Sequence, residues 1–291
     1  MLGYLIASGL TLGALYALVA IGIVIVFKST GAINLAQGEL FMLGGFFAFL
    51  FHVQMGYPYI PSLLLAVAAS FFVGALTYQI AFRPLMKAGL VSVLLASIAV
   101  SFFLKGLARN IWGGVGDYIP FPPMITASAI NLHGLIVLPQ QLVVLGASIV
   151  LMLLIVAYFR LARSGKWLQA IADNVKAATL VGIRVGALHR LAFALGAAAA
   201  GAAAVLMAPL TQLYPDIGFN LFIKAFAAAV LGGLHSIAGA VIGGFVVGLV
   251  EALVAGYVGS KYQDVSAFVV IMLVLVFIPR GIMGGRAMRK V

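Results

Sequence analysis

The sequence predicts an all-α fold, a polytopic membrane helix bundle with about eight or nine membrane segments and interrupted helices. Three observations predict this class. Of the 291 residues, 65% are hydrophobic and only 8% are charged, whereas soluble domains carry about 25% charged residues. The mean hydropathy is +1.23. The apolar residues form long runs separated by short basic, proline- or glycine-containing stretches. Residues 1–291 are therefore expected to form a single transmembrane domain.

Each predicted span is an apolar run that approaches the length of about 20 residues needed to cross a bilayer core. The first run has no preceding basic region and no small-residue cleavage site after it, so it is predicted to be a span rather than a signal peptide. In chain order, the predicted spans lie in residues 2–27, 35–51, 60–82, 90–104, 142–159, 191–213, 222–258 and 268–279.

The distribution of basic residues predicts the orientation of these spans. Thirteen of the seventeen Lys and Arg residues fall at one face, which is predicted to be cytoplasmic because Lys and Arg accumulate in cytoplasmic loops. The N-terminus is then outside and the C-terminus inside. The opposite face is predicted to hold Asp117, Asp216 and Asp264, with Lys105 and Arg109 as mild exceptions. The basic residues of the predicted cytoplasmic face are Lys28, Arg83, Lys87, Arg160, Arg163, Lys166, Lys176, Arg184, Arg190, Arg280, Arg286, Arg289 and Lys290.

Two segments are predicted to be interrupted. Residues 222–258 are too long for one crossing, and both ends are predicted to lie outside, so we expect a hairpin of two short helices that turns near residues 232–236, with the turn buried in protein. Residues 29–39 place polar side chains where a span should begin. Broken helices at membrane depth are tolerated where they are shielded from lipid or line a cavity, and paired interruptions point to a transport pathway.

Five polar residues in or beside the apolar runs are candidates for a translocation pathway: Asn34, Gln37, Glu39, Lys224 and Glu251. A carboxylate at the centre of a span costs about 2.5–3.5 kcal/mol, so it should face the bundle interior or a water-filled path. Alternatively, Asn34 only caps a helix and Glu39 complements its dipole from the headgroup region. Glu251 either pairs with Lys224, lines the same path, or makes a structural hydrogen bond between helices.

Residues 160–190 form the long loop of the predicted cytoplasmic face. Within it, residues 166–172 and 174–181 are predicted to form two short helices. Asp173 is positioned to cap the second helix, and Gly182 follows its last turn.

The apolar residues of this loop favour docking of the helix pair into a groove on a soluble partner. The alternative is an amphipathic segment that lies on anionic lipid. These apolar residues are Ala170, Ile171, Ala177, Leu180 and Val181.

The sequence does not predict a catalytic or cofactor site. Residues 22–29 resemble a phosphate-binding loop, but Phe27 replaces its second glycine within an apolar helix, so the chain is not expected to hydrolyse ATP. The four histidines lack metal-ligand spacing, and there is no cysteine. The basic residues lie between spans, which does not favour a nucleic-acid partner. No cofactor is expected.

Several stretches together resemble the permease subunits of bacterial branched-chain amino acid ABC importers, specifically the shorter of the two paired permeases. The sequence departs from the family pattern at Lys166-Trp167, where an Arg-Ala pair is expected, and at His235, where a glycine is expected. The matching stretches run from the first span to the C-terminus and are residues 31–39 with Gly44, 165–183, 224–233, 239–240 with 243–244, and 277–284.

The resemblance implies a permease domain in a bacterial plasma (inner) membrane that is not itself an enzyme. It implies three kinds of protein partner: a second permease subunit, two cytoplasmic ATPase subunits and an extracytoplasmic substrate-binding protein. Residues 160–190 would then be the ATPase coupling loop, with Ala170, Asp173, Ala177, Leu180 and Gly182 as candidate contacts.

The implied mechanism is alternating access, in which the partners bias outward-open and inward-open states. An apolar path with few charges suits Leu, Ile and Val, whose zwitterionic backbone is expected to meet helix ends and the amides of Asn34 and Gln37. The alternative is an ATP-independent secondary transporter or channel for a small polar solute, in which Glu39 and Glu251 carry protons. An intramembrane enzyme ranks last because no catalytic set is visible.

Overall fold

The computed structural model describes residues 2–86, 88–113, 118–125, 130–132, 135–278 and 281–284, and these are mostly helical. Several residues used in the sequence predictions lie outside this described part: Lys87, Asp117, His133, residues 279–280 and residues 285–291. The helices are α1 (Leu2–Thr30), α2 (Gln37–Ala48), α3 (Tyr59–Thr77), α4 (Leu90–Trp112), α5 (Pro139–Leu161), α6 (Arg163–Asp173), α7 (Val175–Leu180), α8 (Val185–Met207), α9 (Ile217–Gly232), α10 (Ile237–Tyr257) and α11 (Gln263–Phe277).

Short irregular elements extend this helical set. A π-helical turn, Phe49–Gln54, continues α2, while a second one, Tyr78–Phe82, and a 3₁₀ turn, Arg83–Leu85, continue α3. Two short strands, β1 (Ile130–Leu132) and β2 (Leu135–Val137), pair antiparallel. The prediction of a purely α-helical chain did not include this hairpin.

Seven helical segments in the described part of the chain are long and apolar enough to cross a membrane. The predicted count of about eight or nine is therefore not reached by this criterion. The difference lies in α2 and α9, whose regular helical parts have only 12 and 16 residues. The protein is a multi-pass membrane helix bundle. The seven segments are Leu2–Thr30, Tyr59–Leu85, Leu90–Trp112, Pro139–Leu161, Val185–Leu210, Ile237–Tyr257 and Ser260–Phe277.

Helix α1 lies at the centre of the bundle. It is apolar on all sides, which is the pattern of a helix buried on all sides, and Leu15, Leu18, Ile21 and Val24 are fully buried. It packs against α5, α8, α9 and α10. The peripheral helices expose large apolar side chains instead, as at Phe102 in α4, which is 70% exposed. Such a surface requires lipid as the surrounding solvent.

Glycines at the helix contacts allow the backbones to approach closely. A Cβ atom on Gly44 of α2 would overlap the Cα atom of Gly201 in α8, and one on Gly248 of α10 would overlap Gly13 of α1. In lipid, small residues at such positions stabilise helix association because they permit extensive van der Waals contact. The bundle therefore depends on glycine at these crossings.

Helices α9 and α10 form the predicted hairpin, with the turn at residues 233–236. Gly232 and Gly239 meet across it, and Gly232 and Gly233 are buried, as predicted, whereas His235 is exposed and packs edge-on against Phe27 of α1. Every α-helix leaves its last carbonyl groups without intrahelical partners.

The segment 281–284 supplies partners for the end of α9. The Ile282 N–H donates to the Leu231 carbonyl at 2.8 Å, and the Met283 N–H donates to the Gly232 carbonyl at 3.1 Å. Two of the stretches that carried the family resemblance, 224–233 and 277–284, therefore meet in the fold.

We predict opposite effects for two Gly→Ala substitutions within helices. Gly44→Ala should lower the free energy of unfolding by about 1–3 kcal/mol, because its new methyl group overlaps Gly201. Gly106→Ala in α4 adds a methyl group into open space, so the higher helix propensity of alanine should leave stability equal or slightly raised. Thermal unfolding of the purified variants measures both. Equal midpoints for the two variants contradict the proposed packing.

Candidate functional site

The chain folds back into the bundle between α1 and α2. The Gln37 side-chain amide donates to the Gly196 carbonyl of α8 at 2.8 Å and lies against Gly22 of α1. Helix α1 continues from Gly22 to Thr30, eight residues or about 12 Å further. Residues 31–36 must therefore return by a similar depth before α2 begins, which agrees with the predicted interruption.

Asn34 and Gln37 are both buried and belong to one hydrogen-bonded group. The Asn34 side-chain oxygen accepts from the Ala36 N–H at 3.1 Å, and the Asn34 side-chain amide donates to the Gln37 side-chain oxygen at 3.4 Å. Ala36, rather than Asn34, occupies the N-cap position of α2. Asn34 thus closes the turn before the helix and does not cap it. The predicted pathway role of both residues stays a prediction.

Glu39 belongs to a group of charged and polar side chains between α2, α4 and the start of α9. We name this group the α2–α4 charge cluster, and its members are Glu39, Ser101, Lys105, Arg109 and Asp216. The buried Glu39 carboxylate accepts from Ser101 at 3.1 Å and lies 3.7 Å from the Lys105 ammonium. Asp216 lies 3.1 Å from Lys105 and 2.7 Å from Arg109. Lys105 and Arg109 were the two exceptions among the basic residues, because they were predicted at the acidic outer face. The structure shows that Lys105 pairs with the buried Glu39 and with Asp216, and that Arg109 pairs with Asp216.

Asp216 precedes α9 and lies outside the membrane-spanning helices. Burial acting alone would raise the pKa of its carboxyl group, but hydrogen bonds from Lys105 and Arg109 outweigh burial and hold the pKa below its usual value. The carboxylate is thus ionised at neutral pH, so this end of the cluster stays paired.

Lys224 and Glu251 belong to a second group, the α9–α11 charge cluster, which also contains Gln263 and Asp264. The Lys224 ammonium lies 2.6 Å from the Glu251 carboxylate and 2.9 Å from Asp264, and the Gln263 amide donates to Glu251 at 2.7 Å. Glu251 is fully buried at 0% exposure, whereas the Asp264 side chain is 71% exposed. Glu251 therefore pairs with Lys224 and also accepts a hydrogen bond that joins α10 to α11. These are two of the three alternatives that the sequence left open for this residue.

A cleft of about 270 Å³ opens beside the α9–α11 charge cluster. Lys224, Asp264 and Tyr16 are among its lining residues, and the Lys224 ammonium lies 5.9 Å from the centre of the Tyr16 ring. Asn34, Gln37 and Glu39 are not lining residues of this cleft. The five predicted pathway residues therefore divide between two places in the bundle.

Sequence reasoning missed Asp264 and Tyr16 as members of this site. Asp264 lies in the first turn of α11, which begins at Gln263 rather than in the predicted span starting at residue 268. The sequence did contain a signal for this earlier start: Gln263 and Asp264 lie just before an apolar run, and an Asp is common in the first turn of a helix. Tyr16 lies within an uninterrupted apolar helix, where nothing in the pattern separates it from its neighbours.

Helices α6 and α7 form the predicted pair in residues 160–190. Leu168 and Ile171 of α6 and Ala178 of α7 are buried, and the Gln169 amide donates to the Phe159 carbonyl of α5 at 2.9 Å. Helix α6 packs against α1, α5 and α8. The pair is thus attached to the helices that form the centre of the bundle.

The exposed side of this pair carries apolar residues, which we name the α6–α7 surface: Trp167, Val175, Leu180 and Val181. Leu180 is 88% exposed and Val181 is 77% exposed. Of the candidate contacts, Asp173, Ala177, Leu180 and Gly182 are exposed, while Ala170 is half-buried.

The structure differs from the prediction for residues 160–190 in two details and agrees with it in a third. Asp173 does not cap the second helix: the neighbouring Asn174 does, since its side-chain oxygen accepts from the Ala177 N–H at 3.0 Å. Ile171 faces the bundle and does not contribute to the exposed apolar side. Gly182 does follow α7 with a φ of +83°, a conformation that favours glycine.

A bundle with broken helices, buried charges beside a cleft and an anchored basic helix pair is the architecture of a membrane transport protein. The family model described as "Branched-chain amino acid transport system / permease component" matches residues 5–278. The chain belongs to this family.

Named relatives cover nearly the whole chain. It is 35% identical to the "High-affinity branched-chain amino acid transport system permease protein BraD" of Pseudomonas aeruginosa, over 98% of this chain and 97% of the relative. It is also 35% identical to the corresponding LivH of Escherichia coli K12, over 98% and 96%. A solved chain of "PsaBC from Streptococcus pneumoniae in complex with Fab" has 14% identity, covers 94% of this chain and 91% of its own, and has a TM-score of 0.50, which is a likeness of fold alone.

Family membership confirms the prediction of a transport permease subunit that is not itself an enzyme. Family membership also favours the permease of an ABC transport system over the alternative hypothesis of an ATP-independent transporter or channel.

We predict that Gln37→Ala lowers the free energy of unfolding by about 1–3 kcal/mol, because it removes a buried hydrogen bond between α2 and α8 and leaves the buried Asn34 amide without its acceptor. Gln54→Ala, at an exposed site, serves as the control and should change stability by less than about 0.5 kcal/mol. Chemical unfolding in detergent measures both variants. An unchanged unfolding curve for Gln37→Ala contradicts the structural role assigned to this side chain.

Proposed function

We propose that this chain is one of two permease subunits of a bacterial plasma-membrane importer for branched-chain or related amino acids. Two cytoplasmic ATPase subunits drive the importer, and an extracytoplasmic binding protein delivers the substrate. The printed names of BraD and LivH support the substrate class and the permease role. Within this proposal α2 and α9 also lie in the membrane, which brings the number of segments into the predicted range.

The observation that carries the proposal is the α6–α7 surface. Leu180 and Val181 are almost fully exposed although the helix pair itself is firmly attached through buried Leu168 and Ile171. An exposed apolar patch on an anchored element is typical of an interaction site, and helical apolar residues of this kind fit a groove on a partner protein. The proposed partner is the ATPase subunit.

The packing of α6 gives this surface a route to the translocation pathway. Helix α6 contacts α1 and α8, and α1 carries Tyr16 to the cleft beside Lys224. Packed helices transmit displacement because they cannot be compressed. Movement of the α6–α7 surface when the ATPase subunits close would therefore shift α1 and α8 and bias the bundle between outward-open and inward-open states.

We assign different parts of this cycle to the two groups of predicted pathway residues. Lys224 lines the cleft and Glu251 is its buried partner at 2.6 Å, so this pair is proposed to border the path itself. Asn34, Gln37 and Glu39 hold the broken segment against α4 and α8, so they are proposed to set the position of α2 beside the path.

We predict that Leu180→Asp abolishes co-purification of the ATPase subunits with the complete transporter and lowers ATP-driven uptake at least tenfold. A carboxylate at the centre of an apolar contact must be desolvated when the contact forms. Val258→Asp is the matched control, because Val258 is also a largely exposed aliphatic residue but follows α10 at the opposite face. It should retain the ATPase subunits.

Two results contradict the assignment of this surface. Retention of the ATPase subunits by Leu180→Asp excludes Leu180 from the contact. If Lys176→Glu, rather than Leu180→Asp, weakens function, and does so only in vesicles with anionic lipid, the segment lies on the membrane surface instead.

A further inference from the structure

The cleft beside the α9–α11 charge cluster contains more charge than helix packing requires. One carboxylate is enough to balance the Lys224 ammonium within the bundle, and the buried Glu251 does so at 2.6 Å. Asp264 nevertheless approaches the same ammonium to 2.9 Å from the first turn of α11. Both Lys224 and Asp264 line the cleft.

The two carboxylates differ in how firmly they are held. Glu251 is fully buried and also accepts a hydrogen bond from Gln263 at 2.7 Å, so its position is fixed. The Asp264 side chain is 71% exposed although the Lys224 side chain is only 13% exposed, so water screens this ion pair at the Asp264 end and reduces its net contribution to stability. The contact between Lys224 and Asp264 is therefore the one that a solute can open at low cost.

We propose that Lys224 and Asp264 form the subsite for the zwitterionic end of the amino acid in this cleft. The α-carboxylate takes the place of Asp264 beside the Lys224 ammonium, and the α-ammonium group binds the displaced Asp264 carboxylate. Every charge keeps an opposite partner throughout, so a neutral zwitterion enters without leaving an unpaired ion in the bundle. The inference rests on the proposed function, because it names where the substrate of that importer binds.

One part of the cleft suits an apolar side chain of modest size. Met207, Ile217 and Leu221 line it alongside the Tyr16 ring, and the other lining residues are polar: Tyr118, Thr211, Gln212, Tyr214 and Asn220. Its volume of about 270 Å³ falls just below the range of roughly 300–1,000 Å³ that is usual for drug-sized ligands. A single aliphatic amino acid is a ligand of the appropriate scale.

This assignment replaces the expectation that Asn34 and Gln37 bind the zwitterion. The Gln37 amide already donates to the Gly196 carbonyl, and the Asn34 amide donates to Gln37. Both residues are buried away from the residues that line the cleft. Because these amide groups already bond within the protein, we place the zwitterion at Lys224 and Asp264 instead.

The test uses the complete transporter in lipid nanodiscs without its binding protein, so that binding to the permease is measured directly. Leucine added at increasing millimolar concentration should raise the unfolding midpoint of the permease, because a ligand that binds only the folded state stabilises it. Leucine affinity should fall at least tenfold in Asp264→Asn. Asp216→Asn, in which another acidic partner of a lysine is changed at a residue that does not line the cleft, should keep leucine affinity within twofold.

Single-charge analogues of leucine test the zwitterion itself. 4-Methylpentanoate has only the carboxylate and 3-methylbutylamine has only the ammonium group, so each should bind at least tenfold more weakly than leucine. Asp264→Asn is preferred to Lys224→Gln because Lys224→Gln leaves the buried Glu251 without its cation and is expected to destabilise the protein.

The proposal is overturned if Asp264→Asn binds leucine as tightly as the unchanged protein, if either analogue binds as well as leucine, or if leucine does not shift the midpoint of the unchanged protein. Uptake into proteoliposomes with all partners separates this from the proposed function. If the unchanged transporter imports leucine but any of those binding results is obtained, the importer stands and the subsite is wrong. If it imports no branched-chain amino acid, the proposed function is wrong.

Discussion

The structure depends on one constraint: with lipid as solvent, burial of apolar side chains does not drive helices together, and polar groups must find partners inside the protein. The bundle meets the first part of this constraint through small residues. Gly13 against Gly248 and Gly44 against Gly201 bring helix backbones into contact. It meets the second part through internal pairs such as Lys224 with Glu251. Both kinds of contact converge on α1 and its neighbours.

The same constraint explains how a site at one face can be connected to a surface at the other. Helix α1 extends through the bundle from the cleft at Tyr16 to the α6–α7 pair, and it makes close backbone contacts with α8 at Gly22 and with α10 at Gly13. Displacing the anchored pair therefore displaces helices that border the cleft. In the proposed function, the exposed Leu180 and the ion pair of Lys224 with the exposed Asp264 are the two ends of this connection.

Much of the fold could be predicted from the sequence because apolar run length and basic loop residues are strong signals in membrane proteins. They indicated the spans, the α9–α10 hairpin and the helix pair after α5. The details that failed depend on short-range geometry. Whether Asp173 or Asn174 caps α7 turns on a single residue of register, and both types are good caps. Ile171 looked available for docking because periodicity within a short helix does not reveal which face is buried.

The candidate site was predictable only in part for the same reason. An isolated carboxylate such as Glu251 in an apolar run is recognisable from the sequence. The second carboxylate that pairs with Lys224, Asp264, was instead assigned to a weakly charged loop. Only the three-dimensional structure shows that α11 begins early enough to bring Asp264 to Lys224. Hydrogen bonding of Gln37 to Gly196, 159 residues away, is likewise beyond any local pattern.

The central claim is that the α6–α7 surface faces the cytoplasm while the cleft opens outside. The chain contains no cysteine, so single cysteines can be introduced and labelled selectively. In intact cells, a membrane-impermeant maleimide should label Val258→Cys and spare Leu180→Cys. In inside-out vesicles from cells that lack the ATPase subunits, so that the α6–α7 surface is uncovered, the pattern should reverse. Labelling of Leu180→Cys in intact cells, with Val258→Cys protected, contradicts the account.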